Sequence, residues 1–63
     1  MFIEVINLSE HSNLPKGRFL LEVDMVWGIE ESLDGPTIIK TKNGYDMTVQ
    51  NSYDEIRQKL EAI

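Results

Sequence analysis

With 63 residues, 41 % hydrophobic and 27 % charged, the chain has the composition of one small globular domain and lies far from the polar, highly charged composition of disorder. Eleven carboxylates against six basic side chains give a net charge of −5, which opposes non-specific attraction to phosphate backbones and anionic lipid. The absence of cysteine excludes a disulfide framework, and with a single histidine, His11, a structural zinc site lacks its ligands.

A domain of this size buries only about 60 % of the surface its unfolded chain exposes. Small proteins supplement such a core with disulfides, a metal or a partner subunit. With no cysteine and one histidine, self-association is the expected supplement and a homo-oligomer is anticipated. No apolar run approaches the roughly 20 residues of a membrane span, and MFIEVINL carries a glutamate with no basic region before it, unlike a signal peptide. The expected setting is the cytoplasm, without membrane insertion.

Phe2 to Leu8 alternates poorly but is rich in Phe, Ile and Val, as in a first strand whose two faces are both partly covered. SEHSNLPKG, residues 9–17, gathers Ser, Asn, Pro and Gly and reads as a long exposed loop joining neighbouring strands. Strand two, 18–24, sets Phe19, Leu21 and Val23 on one face and Leu20 and Glu22 on the other. Strand three, 25–31, places Trp27 and Ile29 on one face. Val23-Asp24 marks a bend or bulge before it, so strand three is antiparallel to something other than a simple hairpin partner.

SLDGP, residues 32–36, is a dense reversal signal: Asp34 bonds its own backbone onward, Gly35 accepts positive φ and Pro36 cannot donate to a ladder. Strands four and five, 37–41 and 45–50, then flank Asn43-Gly44, the strongest short-range hairpin signal. Slipping the register by one residue exchanges the faces. A two-residue turn would set Lys40 opposite Met47. A three-residue Lys42-Asn43-Gly44 loop, with Gly44 left-handed, sets Ile39 opposite Met47, Thr41 opposite Tyr45 and Lys40 opposite Asp46. The second register is preferred because it matches apolar with apolar and opposite charges with each other.

Ser52 stands three residues before Glu55, the spacing of a capping box, and starts a helix over about 53–62. Tyr53, Ile56, Leu60 and Ile63 line one face, and Glu55 and Lys59 form an i,i+4 pair. The fold class is therefore α+β, one domain over 1–63: a small antiparallel sheet of about five strands followed by one C-terminal helix laid across a face or edge.

Reactive chemistry is sparse. His11 with Ser9, Ser12 and Glu10 supplies the residue types of nucleophilic catalysis, but neighbours in one loop are not held as a triad is held. Glu30, Glu31 and Asp34 form an acidic run without the spaced oxygen ligands of a calcium loop. The four glycines are dispersed singly, unlike a phosphate-binding loop; Gly28, inside strand three, marks a bulge, a close approach by another chain, or relief of crowding beside Trp27. Neither a cofactor nor an enzymatic activity is expected.

Two basic concentrations stand out: Lys16 and Arg18 with His11, and Lys40 with Lys42 at the hairpin tip. Converging on one surface, they would make an anion- or nucleic-acid-binding patch, the alternative reading, against which the net charge and the lack of interleaved aromatics both argue. Trp27 suits both a small core and an interface anchor, and the two roles merge where a sheet face is shared between subunits.

VDMVWGIEE (23–31), TIIKTKNGYDMTV (37–49) and SYDEIRQKL (52–60) follow one another in an order that resembles the FlbD-like family of small bacterial motility-associated proteins. That family runs through a short strand, a V-x-x-I-x-x-I-E-E-like segment, a T-x-I-x-x-T-N-G hairpin and an E-S-x-x-E-I helix, and short phage and mobile-element proteins share the pattern. The resemblance spans most of the chain and implies no catalytic residues. Asn51 stands where the family tends to have Glu, and the first loop is several residues longer. The expected function is a non-enzymatic protein-interaction or regulatory module, presenting strand edges and the Ser9 to Gly17 loop, with Trp27, His11, Lys16 and Arg18 as candidate contact residues.

Overall fold

The computed structural model describes residues 1–8, 16–33 and 35–63. Among the described residues, five strands form one antiparallel sheet: β1 (Phe2–Asn7), β2 (Gly17–Glu22), β3 (Val26–Glu31), β4 (Thr37–Thr41) and β5 (Asp46–Val49), followed by α1 (Tyr53–Glu61). The hydrogen-bonded order is β2-β1-β5-β4-β3. The fold class and chain order agree with those read from the sequence. Positions 8, 25, 45, 50 and 62 fall just outside the elements expected to hold them, and 23–24 leave strand two for a 3-10 turn.

That turn decides the shape of the sheet. β2 and β3 stand at opposite ends of the strand order, yet only Val23–Met25 separates them in the chain. Three residues span roughly 10 Å at most. The sheet therefore rolls until its two ends meet, and the bend is tied on both sides: Val23 N–H donates to the Met1 carbonyl at 2.8 Å, and Lys42 N–H donates to the Met25 carbonyl at 2.8 Å. β2 and β3 act as one bent strand whose first half pairs with β1 and whose second half pairs with β4.

Rolling gives the sheet an inside and an outside. Ile3, Val5, Leu21, Ile39, Met47 and Val49 point inward and are buried, and Ile56 from the helix joins them. Each such side chain stabilises the fold by about 1.5–3 kcal/mol through removal from water. β1 alternates cleanly: Ile3, Val5 and Asn7 are buried while Phe2 and Glu4 are exposed. On the opposite face Phe2 and Glu4 are exposed and Ile6 is half-buried, so the expectation that both faces are partly covered holds only at the Ile6 end of the strand.

The β4–β5 hairpin has the three-residue register. Ile39 faces Met47 and Lys40 faces Asp46. Thr41 N–H donates to the Tyr45 carbonyl at 3.1 Å, and Gly44 adopts φ 87°. Lys40 Nζ lies 2.8 Å from Asp46 Oδ2 on the outer face. β3 pairs with β4 as an antiparallel hairpin, which bears out the reversal at 32–36 and corrects the expectation that strand three lies against something other than a simple hairpin partner, while Asp34 lies outside the described residues.

One face assignment is overturned. The β3–β4 register shifts between Val26 and Gly28, a bulge that inserts an extra residue. Val26 and Ile29 pack against the core, whereas Trp27, expected to share a face with Ile29, turns outward and is 67 % exposed. Simple alternation counts through this segment as if it were regular.

Ser52 caps α1, its Oγ accepting from Glu55 N–H at 3.1 Å. The capping box is half formed: the Glu55 carboxylate accepts from Asn51 Nδ2. Ile56 is buried and Leu60 packs against the core, but Ile63, expected on the same face, is exposed beyond the helix end. Lys59 Nζ donates to the Glu4 carbonyl at 2.7 Å and fastens the helix to β1.

Candidate interaction surface

The rolled sheet does not close everywhere. β1 meets β5 at one paired position, Asn7 against Val49, with Leu8 N–H donating to Thr48 O and Gln50 N–H to Ile6 O, each at 2.8 Å. Between the end of β2 and the β4–β5 tip the wall stays open. A groove of about 440 Å³ lies there, walled by Phe2, Leu20 and Met25 on one side and by Asn43 and Tyr45 on the other. Its lining is mostly apolar, and Phe2, Leu20 and Tyr45 are each exposed by 60 % or more.

Two carboxylates rim the groove, and each has a cation. Glu22 Oε1 lies 2.8 Å from the Met1 amine, and Asp46 lies beside Lys40. The hydrogen bond from the terminal amine holds Glu22 below the ordinary carboxylate range, and the same bond raises the amine. The Asp46 hydrogen bond likewise raises Lys40. The groove thus has an apolar floor and a rim of opposite charges already balanced in pairs.

β2 contributes a strand edge to this opening. Ile6 and Leu8 direct their backbone groups toward β5, so by the alternation of an antiparallel ladder Ile3, Val5 and Asn7 direct theirs toward β2. Their partners Leu21, Phe19 and Gly17 face back. Arg18, Leu20 and Glu22 therefore turn their N–H and C=O groups away from β1, and among the described residues β2 is a terminal strand in the order.

The residues singled out from sequence are dispersed over this framework. Arg18 lies on the outer face of β2 and Lys16 is exposed just before it. Trp27 stands on the outer face of β3 at the bulge. His11 lies outside the described residues. Lys40 is engaged by Asp46, and β4, which carries it, is separated from β2 by β1 and β5 in the hydrogen-bonded order. Among the described residues no group of three His, Asp or Glu side chains is placed to hold a metal ion, and no helix is long and apolar enough to cross a membrane.

Sequence reasoning missed Phe2, Leu20 and Tyr45. Alternation sets Leu20 opposite to Phe19 and Leu21, but no local signal says which face of a strand the rest of the chain will cover. Comparison with family models, curated proteins and solved structures finds no match to this chain.

Proposed function

We propose that this protein is a small non-enzymatic interaction or regulatory module whose working surface is the groove between β2 and the β4–β5 tip. The observation that carries the reading is the exposure of Phe2, Leu20 and Tyr45 around one apolar opening. Leaving three large apolar side chains in water around one groove is costly unless a partner covers them. Aromatic and aliphatic anchors around a concave floor are what a protein partner binds most strongly.

The motif order shared with the FlbD-like family supports a bacterial protein partner and makes the motility apparatus the first place to look for it. Cytoplasmic location and self-association belong to the same reading. The test is retention of partners from cell extract by the wild type, by Tyr45→Lys and by a helix-surface control, Glu61→Lys. A protein held by the wild type and the control but released by Tyr45→Lys is the expected result. Equal retention by all three overturns the groove as the working surface.

A further inference from the structure

We infer that the partner at the β2 edge is a second copy of this chain, paired antiparallel, β2 against β2, about a twofold axis at Leu20. This deepens the interaction-module reading and rests on it, naming the occupant of one wall of the groove. Two rolled sheets would then join through one continuous ladder.

Three independent features of β2 converge on that register. An axis at Leu20 sets Leu20 against Leu20, Phe19 against Leu21 and Arg18 against Glu22. Every apolar side chain then meets an apolar one, and each arginine meets a glutamate. The backbone agrees: the hydrogen-bonded pairs of this register are 18 with 22 and 20 with 20, and Arg18, Leu20 and Glu22 are the residues whose N–H and C=O groups point off the edge. The side chains agree as well, since Leu20 at the axis is 63 % exposed on the outer face, between the two charges.

Other registers that keep the ladder bonds are worse. An axis at Arg18 or Glu22 brings like charges face to face, which destabilises a strand pair. An axis at Phe19 or Leu21 sets Leu20 against Arg18 or Glu22. Proteins guard edge strands with charged side chains, prolines or bulges, and a charge deters pairing most where it meets its own sign. β2 instead carries one charge of each sign, placed symmetrically about Leu20, which favours its own copy. Glu22 already holds the Met1 amine on Oε1, so in the dimer the arginine of the second copy would share its carboxylate with that amine.

The experiment combines charge exchange with crosslinking. By sedimentation or light scattering across concentration, Arg18→Glu is expected to weaken the dimer about tenfold, as two like-charged pairs replace two opposite ones. Arg18→Glu with Glu22→Arg is expected to restore it. The chain has no cysteine, so Leu20→Cys should oxidise to a covalent dimer across the axis, while Glu4→Cys, exposed on the neighbouring strand, should not. Circular dichroism of each variant checks that it folds.

A wild type that stays monomeric at about 1 mM, a dimer indifferent to the charge exchange, or crosslinking at Glu4→Cys equal to that at Leu20→Cys overturns the β2 dimer. Any of these leaves the Tyr45-dependent retention untouched. Loss of that dependence with the charge exchange behaving as expected removes the groove reading and keeps the dimer.

Discussion

Asn51 completes a ladder that its own strand has left. Ile6 N–H donates to Asn51 Oδ1 at 2.8 Å, directly after the last β1–β5 backbone bond, while Asn51 Nδ2 donates to Glu55 in the first turn of α1. One side chain thus joins β1 to the helix start. Replacing Asn51 with Ala leaves a partly buried N–H without its acceptor and is expected to cost about 1–3 kcal/mol. Urea unfolding followed by circular dichroism measures it, and a loss below about 0.5 kcal/mol, the size of an ordinary surface change, would rule the role out.

Gly44 and Gly28 should respond oppositely to the same substitution. At Gly44 a Cβ meets open space, so the cost of Gly44→Ala arises from φ 87° alone, about 1–2 kcal/mol. At Gly28 there is open space and no positive φ, and Gly28→Ala is expected to be neutral or to stabilise by up to about 1 kcal/mol. Because neither added Cβ meets a neighbour, thermal unfolding of the two variants in parallel isolates the backbone cost at Gly44.

Ile56 is the one side chain of α1 that is fully buried. Ile56→Ala is expected to cost about 2–5 kcal/mol, against a total of about 3–9 kcal/mol for a chain of this length. The variant should lose roughly half of its stability, and its urea midpoint, read from the far-ultraviolet spectrum, should fall in proportion. A cooperative transition at the wild-type midpoint would show that the helix is an accessory.

Stability should depend on pH through Met1 and Glu22. Glu22 is held below its ordinary value, so its contribution is complete above the ordinary carboxylate range and is lost as pH falls through the lowered value. The Met1 amine is raised, so its contribution is complete below the ordinary amine value and is lost as pH rises through the raised one. The stability difference between wild type and Glu22→Gln should be largest between those limits and shrink on both sides. Urea midpoints across that range check the sign; both groups are exposed, so the effect is small.

Trp27 should emit as a solvated indole and be quenched freely by iodide. Trp27→Ala should change stability by less than about 0.5 kcal/mol, as for other surface positions. A shielded fluorophore, or a loss of several kcal/mol, would place the indole in the core.

The hairpin register is legible in the sequence because its determinants are local. Asn43-Gly44 limits the turn types, and the matching of Ile39 with Met47 and of Lys40 with Asp46 selects between them. The helix start at Ser52 is legible for the same reason. The orientation of Trp27 is not, since a bulge adds a residue without any change of composition that alternation would notice. The groove is further out of reach. It exists because Val23–Met25 brings the ends of the sheet together, and the strand order that makes this turn decisive depends on pairing between residues far apart in sequence. Of the candidate contact residues, Arg18 falls on the β2 edge, whereas Leu20 and Tyr45 become visible only once inside and outside are defined.

The narrow seam between β1 and β5 also orders the events of folding. The β3–β4 and β4–β5 hairpins join residues close in the chain, and closing such short loops costs little entropy. Bringing Asn7 to Val49 closes a loop of most of the molecule for two backbone bonds and the Asn51 bridge. The late step is therefore the docking of a finished β1–β2 arm onto a finished three-stranded meander, with α1 locking the joint from Asn51 onward. The same joint is the first to part when the molecule opens, so the amide of Ile6 should exchange with solvent earlier than those of Ile39 and Met47.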